Sequence, residues 1–414
     1  MLTKRIAVSS LFMIFILLLQ VKFFYLLPIS SFYSINSNQQ QILMVVIVVI
    51  GILPIIIAPR LYKMGSFSVF IKIFIIYYLF ELVFSAFKTS QGLLDSLISS
   101  DFYLMLLFYF FVLSYITKGS RERFYKIIIS ASSINIIICW LQYILSFRGI
   151  YFTQLNVDNM RFGSIRIPDM GETMTCAGIL LCLILSLDKN KKKRWLYFCI
   201  VFIGILGNLF VSKGRITLIA LFISGCIIFI LKYKKNMARI IAIIITIILA
   251  LIIFFQTPMG NSYLNSMDDK TTDTGSVRSR EIDYYNNQTK DNLIFGVGFI
   301  RDKGETDNMS NYLKGPAHQY SRTDIGIWGL ANTLGLVGVL WYIVVNLNLL
   351  KKIAWLSHEK QNNHYLVIVG LTIFSIIYIP TMIMLNPYSI TVFSILLALV
   401  DRAILESKFA KPNF

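Results

Sequence analysis

Long runs of Ile, Leu, Val and Phe recur along the chain, and short polar segments separate them. A membrane span needs about 20 mostly apolar residues, because the hydrocarbon core is about 30 Å thick and a helix rises about 1.5 Å per residue. The runs that meet this requirement lie at 6–27, 41–58, 67–87, 101–117, 126–147, 171–187, 195–212, 214–231, 238–256, 324–350, 364–384 and 388–405. The pattern predicts an all-α polytopic integral membrane protein with about twelve transmembrane helices.

One polar stretch, residues 256–323, interrupts this pattern. Structureless loops of this length are uncommon in compact domains, so the stretch is expected to fold, around a short helix from Arg280 to Thr289. No internal repeat relates the two halves of the sequence. We therefore predict a single membrane domain over residues 1–414, with 256–323 as one large external loop.

Basic residues in the short loops separate into two alternating sets. One set contains the clusters Lys4 and Arg5; Arg60 and Lys63; Lys118, Arg121, Arg123 and Lys126; Lys189 and Lys191 to Arg194; Lys232, Lys234, Lys235 and Arg239; Lys351, Lys352 and Lys360; and Arg402, Lys408 and Lys411. The other set has almost none, apart from Lys88. Because short cytoplasmic loops carry the excess of Lys and Arg, both termini are predicted to be cytoplasmic. The segments 148–170, 212–215 and 256–323 then face outward.

The composition agrees with a membrane protein, since 56% of residues are hydrophobic and 14% are charged. In a soluble domain the net charge of +18 would suggest nucleic acid as a partner. Here most cations lie in the topological clusters, so no nucleic-acid partner is predicted. All five cysteines fall inside apolar runs. The sequence shows neither clustered carboxylates nor a CxxC pair that would indicate a metal site, so no metal is predicted. Lys4 and Arg5 precede an apolar run without a small-residue cleavage site, which favours a retained first span.

The outward segments hold the arginines that topology does not explain. Arg215 ends the sequence Ser-Lys-Gly-Arg at the start of a predicted span, where its guanidinium can grip a phosphate or reach toward lipid headgroups. Arg161 and Arg166 precede Asp169 and Glu172, and these four residues can bind a ligand or pair among themselves.

The large loop supplies the remaining candidates. If its helix forms, Arg280 and Tyr284 lie one turn apart on a common face, close to Arg278. Gly296 and Gly298 follow as a Gly-x-Gly that lacks the rest of a dinucleotide fingerprint. His318, Arg322 and Asp324 end the loop; among the histidines, His318 alone is predicted outside the cytoplasmic loops. His318 is either a catalytic base or an ordinary surface residue.

Lys22, Lys72 and Glu81 are charged residues that fall within predicted spans. Intramembrane charges often mark function. Residues nine apart lie on roughly opposite faces of a helix, at about 100° per residue, so Lys72 and Glu81 are not expected to pair. These residues are left outside the predicted site.

These residues and their order resemble the O-antigen polymerase and O-antigen ligase superfamily, the Wzy-like and WaaL-like membrane glycosyltransferases. The likeness is firmest over about residues 205–345. It rests on Ser-Lys-Gly-Arg ending at Arg215, on Arg280 followed by Tyr284 and the Gly-x-Gly, and on Asp324 leading a Gly-rich span. The ligases have a histidine at the position that Asp324 occupies, so either Asp324 replaces the base or His318 reaches the site.

The resemblance implies a polysaccharide polymerase in the bacterial cytoplasmic membrane that acts on undecaprenyl-pyrophosphate-linked repeat units, both as donor and as acceptor. Arg215 and Arg280 would hold the diphosphate, and Asp324 or His318 would act as the base. Weaker substrate-binding candidates are Arg161, Arg166, Arg278, Tyr284 and Arg322. Membrane lipids, a chain-length regulator and a flippase are the other partners considered. Neither a cofactor nor a metal is predicted. The alternatives are ligase-type transfer to another acceptor and, from another class, a polysaccharide transporter or flippase.

Overall fold

The chain is seen in a computed structural model that describes residues 2–21, 45–46, 48–49, 65–116, 120–151, 158–161, 164–188, 192–234, 256, 274–304, 307–315, 319–359, 362–381 and 384–410. Its helices, numbered in chain order, are α1 (Leu2–Gln20), α2 (Phe67–Lys88), α3 (Leu93–Ser100), α4 (Phe108–Tyr115), α5 (Arg121–Ser146), α6 (Thr173–Ser186), α7 (Arg194–Gly207), α8 (Arg215–Tyr233), α9 (Thr274–Lys290), α10 (Asn308–Lys314), α11 (Ile327–Trp355), α12 (Asn363–Ile377) and α13 (Pro387–Ala410). Strands β1 (Asp158–Arg161) and β2 (Ser164–Arg166) pair antiparallel.

The predicted all-α polytopic class is confirmed. Within the described ranges, seven helical segments are long and apolar enough to cross a membrane: Phe67–Lys88, Leu93–Tyr115, Arg121–Ser146, Arg194–Ser212, Arg215–Tyr233, Ile327–Trp355 and Tyr388–Ser407. Three shorter apolar helices are Ser10–Gln20, Thr173–Ser186 and Asn363–Ile377. The predicted spans at 41–58 and 238–256 lie almost wholly outside the described residues, so a total of twelve stays a prediction.

Two of the boundaries that differ from the sequence prediction have a local cause in the backbone. The span expected at 101–117 begins at Leu93, because a 3-10 segment over Asp101–Leu107 joins α3 to α4 without leaving the helical path. The span expected at 324–350 begins at Ile327, because Gly326 has a φ of 55° and separates it from a preceding 3-10 turn. Asp324 therefore lies just outside the membrane helix, in that turn.

Helices α6 and α13 form the centre of the bundle. Every residue of α6 from Thr173 to Ile184 is buried, as expected for a helix that is apolar on all sides and enclosed by others. It packs against α5, α7, α8, α12 and α13. With 14 residues it rises only about 21 Å, and the 3-10 turn Pro168–Gly171 precedes it on the predicted outer side. Side chains such as Ile76 and Phe87 on α2 are exposed and suit contact with lipid.

Loops that the charge pattern grouped together also meet in space. At the predicted inner end, the Asp401 carboxylate of α13 accepts hydrogen bonds from Phe67 N at 2.7 Å and Tyr109 Oη at 2.7 Å, and it pairs with Lys352 Nζ at 2.8 Å. At the predicted outer end, Lys88 Nζ donates to Gly296 O at 2.6 Å. This grouping agrees with the alternation of basic loops, while the orientation in the membrane stays a prediction.

Candidate active site at the outer end of the helices

The long loop that precedes α11, predicted to be external, is anchored in a break of α11. Gly335 has φ 60° and ψ −167° and interrupts the helix. Backbone groups around the break bond to the loop: Val297 N donates to Asn332 O at 2.7 Å, Gly298 N to Thr333 O at 3.1 Å, and Leu336 N to Leu293 O at 2.9 Å. The loop therefore satisfies polar groups that the interrupted helix would otherwise leave without partners.

The Gly-x-Gly has a structural role in this docking. A Cβ on Gly296 would stand 2.6 Å from Gly335 N, and a Cβ on Gly298 would stand 2.2 Å from Ser85 Oγ of α2. Both glycines also have positive φ angles, 76° and 91°, which residues with side chains rarely adopt. The element lets the loop backbone lie directly against α11 and α2.

The docked loop leads into a 3-10 turn, Arg322–Ile325, that carries two of the predicted site residues. Glu281 of α9, a buried acid, accepts a hydrogen bond from Ser321 N at 3.2 Å and so ties the loop helix to this turn. Ser321 Oγ accepts from Thr323 N at the start of the turn. The turn thus presents Arg322 and Asp324 at the junction of α9 and α11.

Asp324 is within electrostatic range of two cations. Its side chain is open to solvent, but the surrounding chain removes part of its water shell, and this desolvation raises the pKa of the carboxyl above the usual range. The charges of Arg278 and Arg166 act on the same carboxyl in the opposite direction and lower its pKa. In such a group of residues the carboxylate can accept a proton, and the guanidinium groups can bind an anion.

Arg166 is held in place from the other side of the site. Its Nε donates to Ser212 O at 2.8 Å, and Ile167 N donates to Val211 O at 2.9 Å. Residues Asn208–Ser212 form a π-helical turn that ends at Lys213, whose φ is 53°. Lys213 is fully buried, so its ammonium group does not reach lipid headgroups. Arg215, half-buried, begins α8 immediately afterward.

The loop helix is longer than the predicted Arg280–Thr289 and extends over Thr274–Lys290. Arg278 and Arg280 are both exposed on it. Of the two, Arg278 is the one whose charge acts on Asp324 and Glu281. Tyr284 packs against Tyr320, with ring centroids 5.2 Å apart, and donates to Tyr312 O at 2.9 Å. It therefore helps to hold the loop together.

Two predicted residues are not placed by these observations. His318 lies outside the described residues, and of Arg161 the backbone in β1 is described but the side chain is not. Within the described part, no group of three His, Cys, Asp or Glu residues could hold a metal ion. The described site thus consists of the Asp324 carboxylate and the arginines around it.

Arg322 has a larger structural role than the sequence indicated. Its side chain is 8% exposed, and its Nη1 donates to Gly298 O at 2.8 Å. Its Nε and Nη2 are buried without a hydrogen-bond partner. Burial lowers the pKa of the guanidinium, and nearby Tyr285 is the first of several tyrosines that raise it. Arg322 lines a cavity of about 190 Å³.

Glu81 and Lys88 are polar residues of α2 whose positions sequence reasoning did not explain. Glu81 is fully buried and its Oε1 would lie 3.3 Å from a Cβ on Gly298. Lys88 is the residue that donates to Gly296 O. Lys72 is exposed while Glu81 is buried, which agrees with the expectation that these two residues occupy different faces. A spacing of seven residues, which places Glu81 and Lys88 on one face, was the signal available in the sequence.

One comparison with known proteins finds a similarity in this region. A family model described as O-antigen ligase matches residues 200–343. The matched stretch begins in α7, includes Arg215, the loop helix and the turn with Asp324, and ends within α11. No curated protein matches the chain.

Proposed function

We propose that the chain polymerises a surface polysaccharide, since residues 200–343 match a family model described as O-antigen ligase. The chain would transfer glycan from undecaprenyl pyrophosphate onto the next lipid-linked repeat unit, at the outer face of the bacterial cytoplasmic membrane. The observation that carries this proposal is the solvent-exposed Asp324 carboxylate, on which the charges of Arg166 and Arg278 act.

The transfer step follows from these groups. An acceptor hydroxyl oxygen forms a bond to the anomeric carbon of the donor sugar, while the bond from that carbon to the diphosphate oxygen breaks. Asp324 takes the hydroxyl proton, and undecaprenyl pyrophosphate departs with the bonding electron pair. Fixed guanidinium groups stabilise the negative charge that develops on the leaving diphosphate. The charges of Arg166 and Arg278 act on the Asp324 carboxyl, which supports assigning this task to them, and Arg215 and Arg280 remain candidates for it.

Analysis of the lipid-linked glycans in cells tests this function. Asp324→Asn removes the proton acceptor, and we expect loss of long polymer and accumulation of single lipid-linked repeat units. Asp291→Asn is the matched control, because Asp291 is an exposed acid at the end of the loop helix. Both variants must be recovered in the membrane fraction. Unchanged polymer length in Asp324→Asn would overturn the assignment of this residue.

Ligase-type transfer is the second candidate, favoured by the description of the matching family model as O-antigen ligase. A ligase variant without activity would accumulate long polymer still attached to its lipid carrier, instead of single units. A transporter variant would leave the repeat units on the inner face, where an externally added glycosidase cannot cleave them in intact cells. The length and the sidedness of the accumulated glycan therefore separate the three possibilities.

A further inference from the structure

We propose that the cavity beside Arg322 binds a carboxylate-bearing sugar residue of the glycan, so that the substrate is an acidic polysaccharide. That the ligand is a glycan rests on the proposed function. The binding site itself follows from a buried cation, an unpartnered hydroxyl and a set of aromatic rings in one cavity.

The cavity lies between the loop and the membrane helices, next to the turn that carries Asp324. Its lining includes Phe102 and Tyr103 from the segment joining α3 to α4, Tyr285 from α9, Phe299 after the Gly-x-Gly, and Arg322. Its volume of about 190 Å³ far exceeds the roughly 10–15 Å³ that holds one water on the same measure. A single sugar ring is a group of suitable size for this space.

The polar groups of the cavity suit an anionic partner. Arg322 Nη1 bonds to Gly298 O, but Arg322 Nε and Nη2 have no partner. The Tyr103 hydroxyl, also buried, has none either. Buried donors without partners are costly, and a guanidinium matches the two oxygens of a carboxylate with two parallel hydrogen bonds. The second cation of the lining, Lys314, is already paired with Asp302.

The aromatic lining suits a sugar ring better than a bare anion. Tyrosine and phenylalanine present flat apolar faces, and a pyranose presents a similar face of C–H groups. A diphosphate carries several negative charges and would need several cations, whereas this cavity has one unpaired guanidinium. The arginines that can serve a diphosphate, Arg166 and Arg278, act instead on Asp324. The cavity therefore complements a ring with a single carboxylate.

Binding requires a small movement of Arg322. Its Nε and Nη2 are buried, so a carboxylate reaches them when the side chain turns within the cavity. Arg322 and Asp324 lie two residues apart in the same turn. A sugar held by Arg322 would therefore lie near the reacting bond, and the movement would couple recognition of the acidic sugar to the position of the turn.

Direct binding to the purified full chain in lipid nanodiscs tests this proposal without requiring transfer activity. The probes are methyl β-D-glucuronide and methyl β-D-glucoside, which differ by a carboxylate, observed by saturation-transfer difference NMR. We expect signals from the glucuronide and at least about tenfold weaker ones from the glucoside, since a bidentate charge-assisted pair is lost. Arg322→Gln should remove the preference.

Two further variants make the result interpretable. Arg301→Gln is the matched control, because Arg301 is a half-exposed arginine of the same loop, outside the cavity and paired with Asp95. Tyr103→Phe removes only a hydroxyl and serves if Arg322→Gln fails to fold; it should weaken binding of the glucuronide. Equal signals from the two probes, or a preference that persists in Arg322→Gln, would overturn the proposal. Displacement of the glucuronide by equimolar inorganic pyrophosphate would overturn it too, by identifying a diphosphate site.

The outcome is separable from that of the proposed function. If glucuronide binds through Arg322 while Asp324→Asn leaves polymer length unchanged, the cavity assignment stands and the polymerase assignment fails. If Asp324→Asn abolishes polymer but neither probe shows a carboxylate preference, the polymerase assignment stands and the acidic-sugar assignment fails.

Discussion

Arg322 and Asp324 lie in one short turn, and their different surroundings suit different tasks. Arg322 is buried with part of its guanidinium unpartnered, whereas the Asp324 carboxylate is open to solvent beside other cations. The open carboxylate can exchange protons with an acceptor and with water, and the buried guanidinium can select a ligand that enters the cavity. Glu281 holds the turn through Ser321 N, so both tasks depend on the position of one segment.

The pH dependence of transfer should reflect Asp324. The carboxyl acts as a base only when it is deprotonated, and desolvation raises its pKa above that of an ordinary aspartate. Activity should therefore fall, as the pH is lowered, at a higher pH than an unperturbed aspartate would give. Arg278 lowers this pKa, so Arg278→Gln should move the acid limb to still higher pH. Initial rates measured across pH check this shift, with Arg301→Gln as the control; an unmoved limb would count against Asp324 as the base.

Arg278 and Arg280 allow a sharp comparison, because both are exposed arginines of the same helix. Arg278 is the one whose charge acts on Asp324. If the diphosphate departs beside Asp324, Arg278→Ala should lower the transfer rate by about 10²–10³-fold, as removal of a donor to developing charge does. Arg280→Ala should cost less. Transfer rates with lipid-linked donor in nanodiscs measure both losses. A larger loss from Arg280→Ala would instead assign diphosphate binding to Arg215 and Arg280.

Among the elements, the broken helix α11 does most to organise the site. Its break at Gly335 exposes backbone groups, and the loop segment with the Gly-x-Gly binds them. Tyr77 Oη of α2 donates to Leu334 O at 2.5 Å at the same place. The loop that carries Arg322 and Asp324 is thereby fixed to two membrane helices, which keeps the site at a defined depth.

Substitution of Gly335 should destabilise this junction. Its φ and ψ lie in a region that is essentially restricted to glycine, where another residue costs about 1–3 kcal/mol, and a Cβ would stand 2.2 Å from Ile294 O. Gly335→Ala should lower the thermal unfolding midpoint of the purified protein and release the loop to added protease. Gly92→Ala is the matched control, because a Cβ on Gly92 meets no atom within 4 Å; equal midpoints for both variants would contradict this account.

Hydropathy predicted the apolar helices of this fold well and the irregular parts of the site poorly, for a physical reason. A run such as that from Phe67 is apolar over its whole length, so its helix was predicted almost to the residue. The break at Gly335 lies inside an equally apolar run, where composition does not distinguish a broken helix from a continuous one. The burial of Arg322 depends on Gly298 and Tyr103, both distant in sequence, and the spacing of residues contains no information about such contacts.

The whole molecule is held at its predicted inner end by Asp401, which joins α13 to α2 and α11. The Lys352 and Asp401 side chains are 12% and 2% exposed, and their pair is shared with Phe67 N. Asp401→Asn leaves Lys352 without its counter-charge, and loss of one partner of a buried pair costs about 3–5 kcal/mol. Unfolding in mixed detergent micelles should show this loss. Arg402→Gln is the control, since its i,i+4 pair with Glu406 is more exposed than the Lys352–Asp401 pair, and such helix pairs are worth about 0.3–0.5 kcal/mol; equal losses would contradict a buried pair.

The orientation of the whole molecule yields the last prediction. The loop helix and the end of α11 lie on opposite sides of the membrane if basic loops remain in the cytoplasm. Asn287 and Lys351 are exposed residues of these two elements. In intact cells, Asn287→Cys should react with a membrane-impermeant maleimide, whereas Lys351→Cys should react only after permeabilisation. The parent chain with Cys199→Ser gives the background, because Cys199 is the exposed native cysteine among the described residues. Labelling of Lys351→Cys alone in intact cells would show that the orientation is the reverse of the predicted one. Asp324 would then lie on the cytoplasmic side, where a site for outward polysaccharide assembly has no access to its acceptor.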